Sequence, residues 1–406
     1  MSAYSLLCRR RFVFLWLGGF LATLSLTPVL ADDPVCKNAD WPLWQAYAER
    51  FVQGDGRMLE SSVEPNHSTS EGQSYGMLFA LIANDPKRFD ALWKWTAANM
   101  AGADLVTRLP GWLWGQGKDD KWELQDPNSA SDSDLWIAYS LLEAARLWQR
   151  PDYREDALLL LKNIESKLVV SLPGLGKMVL PGPQGFVQPD HLWRLNPSYL
   201  PLPLLRRLAK EEPNGPWKEV AENTVKMVKA SSPHGYVADW VGYRATAPKA
   251  GLFVVDPIKG ELGSYDAIRV YLWAGMTPKS DPLAAQLLSS LYGMSFSTAS
   301  TGIPPENVQV ISGALQGQGP FGFSAALIPY FQTKGQPWLA DQQQHRVDSA
   351  LNKALFASES ESNEPLYYNT MLSLFALGWA EKRYQFRDDG TLKLPWETLC
   401  VRAETR

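Results

Sequence analysis

Cysteine and histidine are both scarce in this chain of 406 residues, with three of the first and four of the second. So few cysteines exclude a disulfide-dense scaffold, and His67, His191, His234 and His345 nowhere stand at metal-ligand spacing. No metal or other cofactor is expected. Positive charge is not in excess either: 39 Lys and Arg stand against 43 Asp and Glu, which excludes the basic footprint that nucleic acid requires. Beyond residue 31 no run is apolar for long enough to cross a bilayer. Ser/Thr-rich or single-sign linkers are also missing, so the chain reads as one large domain.

What is present begins with an export signal. Arg9-Arg10-Arg11 form a basic segment, Phe12 to Leu26 an apolar one, and Val29-Leu30-Ala31 a small-residue cleavage site. Gly18-Gly19 and Pro28 break the apolar run, which favours cleavage after Ala31 over an uncleaved anchor. Removing residues 1–31 lowers the basic count from 39 to 36 against 43 acids, a net charge of −7. A neutral polymer suits such a protein better than an anionic one. Cys8 leaves with the signal, so Cys36 and Cys400 remain at opposite ends of residues 32–406. In an oxidising compartment two readings stand: a bridge between the termini, or two unpaired thiols.

Helical periodicity dominates the rest. The pattern predicts about twelve helices: Trp41–Phe51, Gly72–Ala83, Pro86–Asn99, Asp134–Gln149, Tyr153–Lys167, Pro197–Ala209, Trp217–Ala230, Tyr265–Ala274, Asp281–Tyr292, Phe323–Phe331, Pro337–Leu355 and Leu366–Tyr384. Asn84-Asp85-Pro86 and Gln149-Arg150-Pro151 mark turns between pairs. Trp112-Leu113-Trp114 and Lys121-Trp122-Glu123-Leu124 predict a small β-hairpin, with strands otherwise minor. Paired helices in one domain point to an all-α toroid with its cleft in the rim loops.

Several carboxylates stand at helix starts. Ser68-x-x-Glu71 fits a capping box, yet Gly72 and Gly76 flank a tyrosine just beyond it, as if something approaches closely there. Asp132 and Asp134 are spaced so that they point in different directions, and one of them suits an N-cap. A metal-binding Asp-x-Asp transferase is a second reading of that pair, although no further acidic cluster completes a Mg²⁺ shell. Asp266 precedes an apolar run, with Arg269 one turn on as an ion-pair partner or as the group that orients it. Isolated carboxylates amid many aromatics suit cleavage of a sugar chain, which needs a proton donor, a base and flat apolar surfaces.

Ala130-Ser131-Asp132-Ser133-Asp134-x-x-Ile137-Ala138-x-Ser140-Leu141-Leu142-x-Ala144-x-x-x-Trp148, together with Ser70-Glu71-Gly72 upstream and Ser264-Tyr265-Asp266-Ala267-Ile268-Arg269 downstream, resembles glycoside hydrolase family 8. The one departure is Ser133, where the family usually carries Gly or Ala. Within the family the likeness is to periplasmic members from bacterial cellulose-synthesis operons. The resemblance implies an (α/α)6 barrel that cuts β-1,4-glucan internally with inversion, in the periplasm. It implies Glu71 as general acid, Asp266 as general base, and Asp132 as a third acid that holds the sugar or positions water. Candidate substrate-binding residues are Tyr75, Trp112, Trp114, Trp193, Asn196, Tyr199, Tyr265 and Arg269. The expected partners are cellulose chains and the cellulose synthase and export machinery. Other readings are a non-catalytic glucan-guiding protein, or a relative acting on xylan, chitosan or mixed-linkage glucan. For Glu71 to hold a proton against a helix N-terminus, Asp132 and partial burial are both expected to push it up, with repulsion from Asp132 the decisive influence.

Overall fold

The computed structural model describes residues 39–60, 67–356 and 366–397. The expected signal segment with its cleavage site, Cys36 and Cys400 lie outside the described residues. Among those described are thirteen α-helices: α1 (Pro42–Phe51), α2 (Ser70–Ile82), α3 (Pro86–Asn99), α4 (Ser131–Trp148), α5 (Pro151–Leu168), α6 (Leu202–Glu211), α7 (Trp217–Ala230), α8 (Ala267–Met276), α9 (Ala284–Ser290), α10 (Gly293–Thr301), α11 (Phe321–Thr333), α12 (Pro337–Phe356) and α13 (Leu366–Ala380).

The turns form for local reasons. Asn84 and Gln149 take left-handed backbone, with φ of 52° and 54°, and end one helix. Pro86 and Pro151 then open the next, where a missing N–H costs nothing. Asp85 completes the first turn by accepting from the Arg88 N–H at 3.1 Å.

Pairing of helices makes the ring. Six of them, α2, α4, α6, α8, α11 and α13, are buried along most of their length. Each packs on an outer partner: α3, α5, α7, α9, α12 and α1 respectively. Helices α2, α8, α11 and α13 are apolar on nearly all faces and so lie inside, whereas α6 carries Arg207 inward on the Glu143 carboxylate. The last inner helix takes the first outer one, so the ring closes on itself as an (α/α)6 barrel. Its axis is filled by rings: Phe375 lies 5.3, 4.8, 5.4 and 5.1 Å from Tyr75, Phe79, Trp136 and Trp273, which come from α2, α4 and α8.

Strands are more extensive than expected. The predicted hairpin is present as β2 (Leu113–Gln116) and β3 (Trp122–Asp126), with β1 (Ser68–Thr69) added on its edge. Next come β4 (Val169–Leu172) with β5 (Gly176–Val179), and a four-stranded antiparallel sheet of β6 (Val187–Gln188), β7 (Leu192–Leu195), β8 (Val241–Ala247) and β9 (Ala250–Val255). A third sheet joins β10 (Leu262–Gly263), β11 (Asn307–Gln309) and β12 (Ala314–Gln316), and β13 (Gln385–Phe386) pairs with β14 (Leu392–Lys393). Pairing of β7 with β8 spans α6 and α7, and β8 does not alternate in burial, so neither locality nor period announces it. Helix α10 was also not expected: its Gly-Met-Ser-Phe-Ser-Thr-Ala-Ser-Thr run is poor in helix formers.

Candidate active site

The starts of the inner helices gather at one end of the ring, and the acidic residues sit there. Thr69, not Ser68, caps α2, its Oγ1 accepting from the Gly72 N–H at 3.2 Å. The capping-box reading of Glu71 therefore fails, and its carboxylate is left for other partners. Oε1 accepts from Trp112 Nε1 at 3.1 Å and Oε2 lies 3.4 Å from Ser70 Oγ. The close approach at Gly72 and Gly76 is made by neighbours, not by a ligand: a Cβ on Gly72 would stand 2.6 Å from the Tyr367 hydroxyl, and one on Gly76 2.5 Å from Met58 Cε.

Asp132 occupies the first turn of α4 and is buried. Its Oδ1 accepts from the Ser133 N–H at 2.9 Å, while Oδ2 takes no hydrogen bond and lies 3.8 Å from Arg269 Nη1. Asp134 is fully buried, with neither oxygen hydrogen-bonded. Burial lifts its carboxyl well above the usual range.

Asp266 stands just before α8 but does not cap it. Asp239, which sequence reasoning missed, does so from the connection between α7 and β8: its Oδ1 accepts from Ser264 N–H at 2.8 Å and Ala267 N–H at 2.7 Å, and its Oδ2 from Ser264 Oγ at 2.7 Å. Asp266 is thereby free to meet Arg269 Nη2 at 2.6 Å, with 30% of its side chain exposed against 2% for Asp132. Burial and the Asp266 charge raise the Asp239 carboxyl.

Arg269 is the hub. Besides its two acids, Nη2 donates to Ser198 Oγ at 3.0 Å, Nη1 lies 3.4 Å from the Tyr75 hydroxyl, and the guanidinium sits 5.8 Å from the Tyr199 ring centre. Ser198 in turn donates to Asn196 Oδ1 at 2.7 Å. The expected helix over Pro197–Ala209 breaks here into a 3-10 turn, Pro197–Tyr199, before α6. Pro201 has no N–H with which to continue the helix, and the break seats Ser198 and Tyr199 under Arg269.

Electrostatics separate the acids. Burial lifts Glu71 well above the usual carboxylate range, the Asp132 charge adds to this, and Arg269 and the Ser70 hydroxyl oppose it. Desolvation thus leads where repulsion was expected to. Asp132 is pushed up to about 6 by burial, against the pull of Arg269.

The proposed contact residues divide. Trp112, 38% exposed and bonded to Glu71, lies at the cleft. Tyr75 and Asn196 are buried supports rather than walls, the first against Trp136 and Phe375 at 6.2 and 5.3 Å, the second as the cap of the 3-10 turn. Trp114 stacks on Trp122 at 5.3 Å with Arg57 4.6 Å from both rings, and Trp193 pairs with Tyr243 in the β7–β8 ladder. Tyr265 donates to Glu306 at 3.0 Å and packs on Phe323 at 5.0 Å. Trp240, not anticipated, extends the aromatic surface from Tyr199 at 6.1 Å to Phe186, which is parallel to it at 5.7 Å. Among the described residues no three His, Cys, Asp or Glu side chains gather as a metal site.

A ring of helices with two acids in contrasting surroundings and aromatic walls defines a glycoside hydrolase. The chain belongs to glycosyl hydrolases family 8, whose pattern it matches over residues 20–382. It is 57% identical over 372 residues to the endoglucanase of Pseudomonas fluorescens (strain SBW25), covering 90% of this chain and 94% of that one. It is 40% identical over 381 residues to the endoglucanase of Escherichia coli (strain K12), covering 94% and 97%. The crystal structure of endo-1,4-D-glucanase from Vibrio fischeri ES114 superposes with a TM-score of 0.81 at 40% identity, over 88% of this chain and 99% of that one.

Proposed function

We propose that this protein is an endo-β-1,4-glucanase that inverts the anomeric centre, with Glu71 as general acid and Asp266 as general base. The carrying observation is the asymmetry around Arg269: the guanidinium grips Asp266, which is partly wet, while Glu71 lies outside its hydrogen-bonding reach and is desolvated. An acid must hold its proton and a base must not. Glu71 gives its proton to the leaving glycosidic oxygen as that C–O bond breaks. Asp266 takes a proton from the water that attacks the opposite face of the ring. The free Oδ2 of Asp132 suits a sugar hydroxyl or that water. Close relatives named endoglucanase support glucan as the substrate.

The basic and apolar segments before Ala31 support export to the periplasm, where the enzyme would trim glucan during cellulose synthesis beside the synthase and export machinery. A Cys36–Cys400 bridge is part of the same reading. The Ala39 N–H donates to Ala83 O at 2.8 Å and Trp396 Nε1 to the adjacent Ile82 O at 3.0 Å, so the chain next to each cysteine reaches one spot.

Hydrolysis of carboxymethylcellulose tests the roles. Glu71→Gln and Asp266→Asn should each lower turnover by about 10²–10⁴-fold or more without unfolding the protein. Proton NMR of fresh products should show the α-anomer first, with β arising only by mutarotation. Early β-anomer would mean retention and make Asp132 a nucleophile.

A further inference from the structure

The first turns of α2 and α4 are joined by two buried hydroxyls: Ser70 Oγ and Ser133 Oγ lie 2.7 Å apart. At one end of this pair Ser70 Oγ is 3.4 Å from Glu71 Oε2; at the other Ser133 Oγ is 2.7 Å from Ala130 O. Each hydroxyl carries a single proton and can also accept. With Glu71 protonated and at rest, its O–H donates to Ser70, Ser70 to Ser133, and Ser133 to the Ala130 carbonyl. With Glu71 ionised the direction reverses, Ser133 donating to Ser70 and Ser70 to the carboxylate. The Ala130 carbonyl is not orphaned by this, because it also accepts from the Asp134 N–H at 3.1 Å. Neither state leaves a buried hydroxyl proton unpaired.

We propose that Ser133 and Ser70 form a reversible hydroxyl relay that keeps Glu71 paired both before and after it delivers its proton. The assignment rests on Glu71 being the acid. When the Oε2–H bond breaks and the proton passes to the leaving oxygen, two hydroxyl rotations convert the relay from acceptor to donor. Donors ready for the new charge without wider rearrangement are the economical way to stabilise it. Ser133 is thus a positioning residue, and it stands at the one motif position where this chain carries a hydroxyl and the family usually has Gly or Ala.

The relay makes opposite demands on its two members, which gives the test. Glu71 is also faced by Asp132 from α4, Arg269 from α8, Tyr75 from α2, Tyr367 from α13 and Tyr199 from the 3-10 turn. None of these changes in either variant. In Ser133→Ala the Ser70 proton keeps only Glu71 within reach, so Ser70 becomes a standing donor and favours the ionised acid. The alkaline limb of kcat/KM on carboxymethylcellulose should then move down by about half a pH unit. In Ser70→Ala the carboxylate loses a donor that is worth more to the charged form than to the neutral one, so the limb should move up. Opposed shifts support the relay; superimposable profiles, or shifts in one direction, overturn it. An active Glu71→Gln removes the acid assignment and the relay together. An inactive Glu71→Gln with unmoved limbs removes the relay alone.

Discussion

Burial raises the Glu71 carboxyl more than its acidic neighbour Asp132 does. Asp132→Asn should therefore shift the alkaline limb of the pH profile to lower pH but leave it above the ordinary carboxylate range of ~4.3. A limb that falls all the way to that value would restore repulsion as the main cause. The same burial has a cost in stability. A carboxyl whose folded pKa is raised binds its proton more tightly when folded, so its contribution declines as pH climbs from the unfolded value towards the folded one. Glu71→Gln removes that decline and should raise Tm at pH 7 but not at pH 4, as scanning calorimetry would show. The three acidic motifs were legible in the sequence because acid type and local order carry them. That desolvation would outweigh repulsion was not legible, because its extent depends on what the ring places over Glu71. The burial of Tyr75 and Asn196, both substrate-binding candidates, was hidden for the same reason: a chemically suitable side chain does not announce whether it faces cleft or core.

At the level of elements, α8 shows how a helix can start with an acid that does not serve it. The cap comes from Asp239, with strands β8, β9 and β10 between it and the helix in sequence, so no local spacing could reveal it. Asp239→Ala should cost about 1–3 kcal/mol, from a lost cap and buried N–H groups left without an acceptor. Urea unfolding at pH 7 measures it, and the activity of the folded fraction should also fall as Asp266 loses its placement. Asp266→Ala, by contrast, removes no cap, and any loss in urea unfolding would come from the buried Arg269 ion pair. Most helices were legible because their faces repeat and their ends carry Pro, Asp or Asn. Pairing of β7 with β8 and the formation of α10 depend on distant partners, and no window of the chain contains both sides of either contact.

For the whole molecule, Phe375 joins rings from three other inner helices at the barrel axis, so Phe375→Ala should cost ~3–5 kcal/mol in chemical unfolding. The proposed bridge is tested on purified periplasmic protein: Cys36 and Cys400 should resist thiol reagents until reductant is added, and reduction should lower stability by up to about 5 kcal/mol. Two freely titrating thiols would end that reading. Ring closure also settles where the described ends emerge. Ala39 and Trp396 both bond the far end of α2, about 17 Å along that helix from Glu71. Anything fastened at Ala39 or Trp396, whether an affinity handle, a solid support or a second domain, would hang behind the catalytic mouth. An enzyme anchored this way would present its open face outward to a fibre too large to diffuse, and the tether would never lie in the polymer's path.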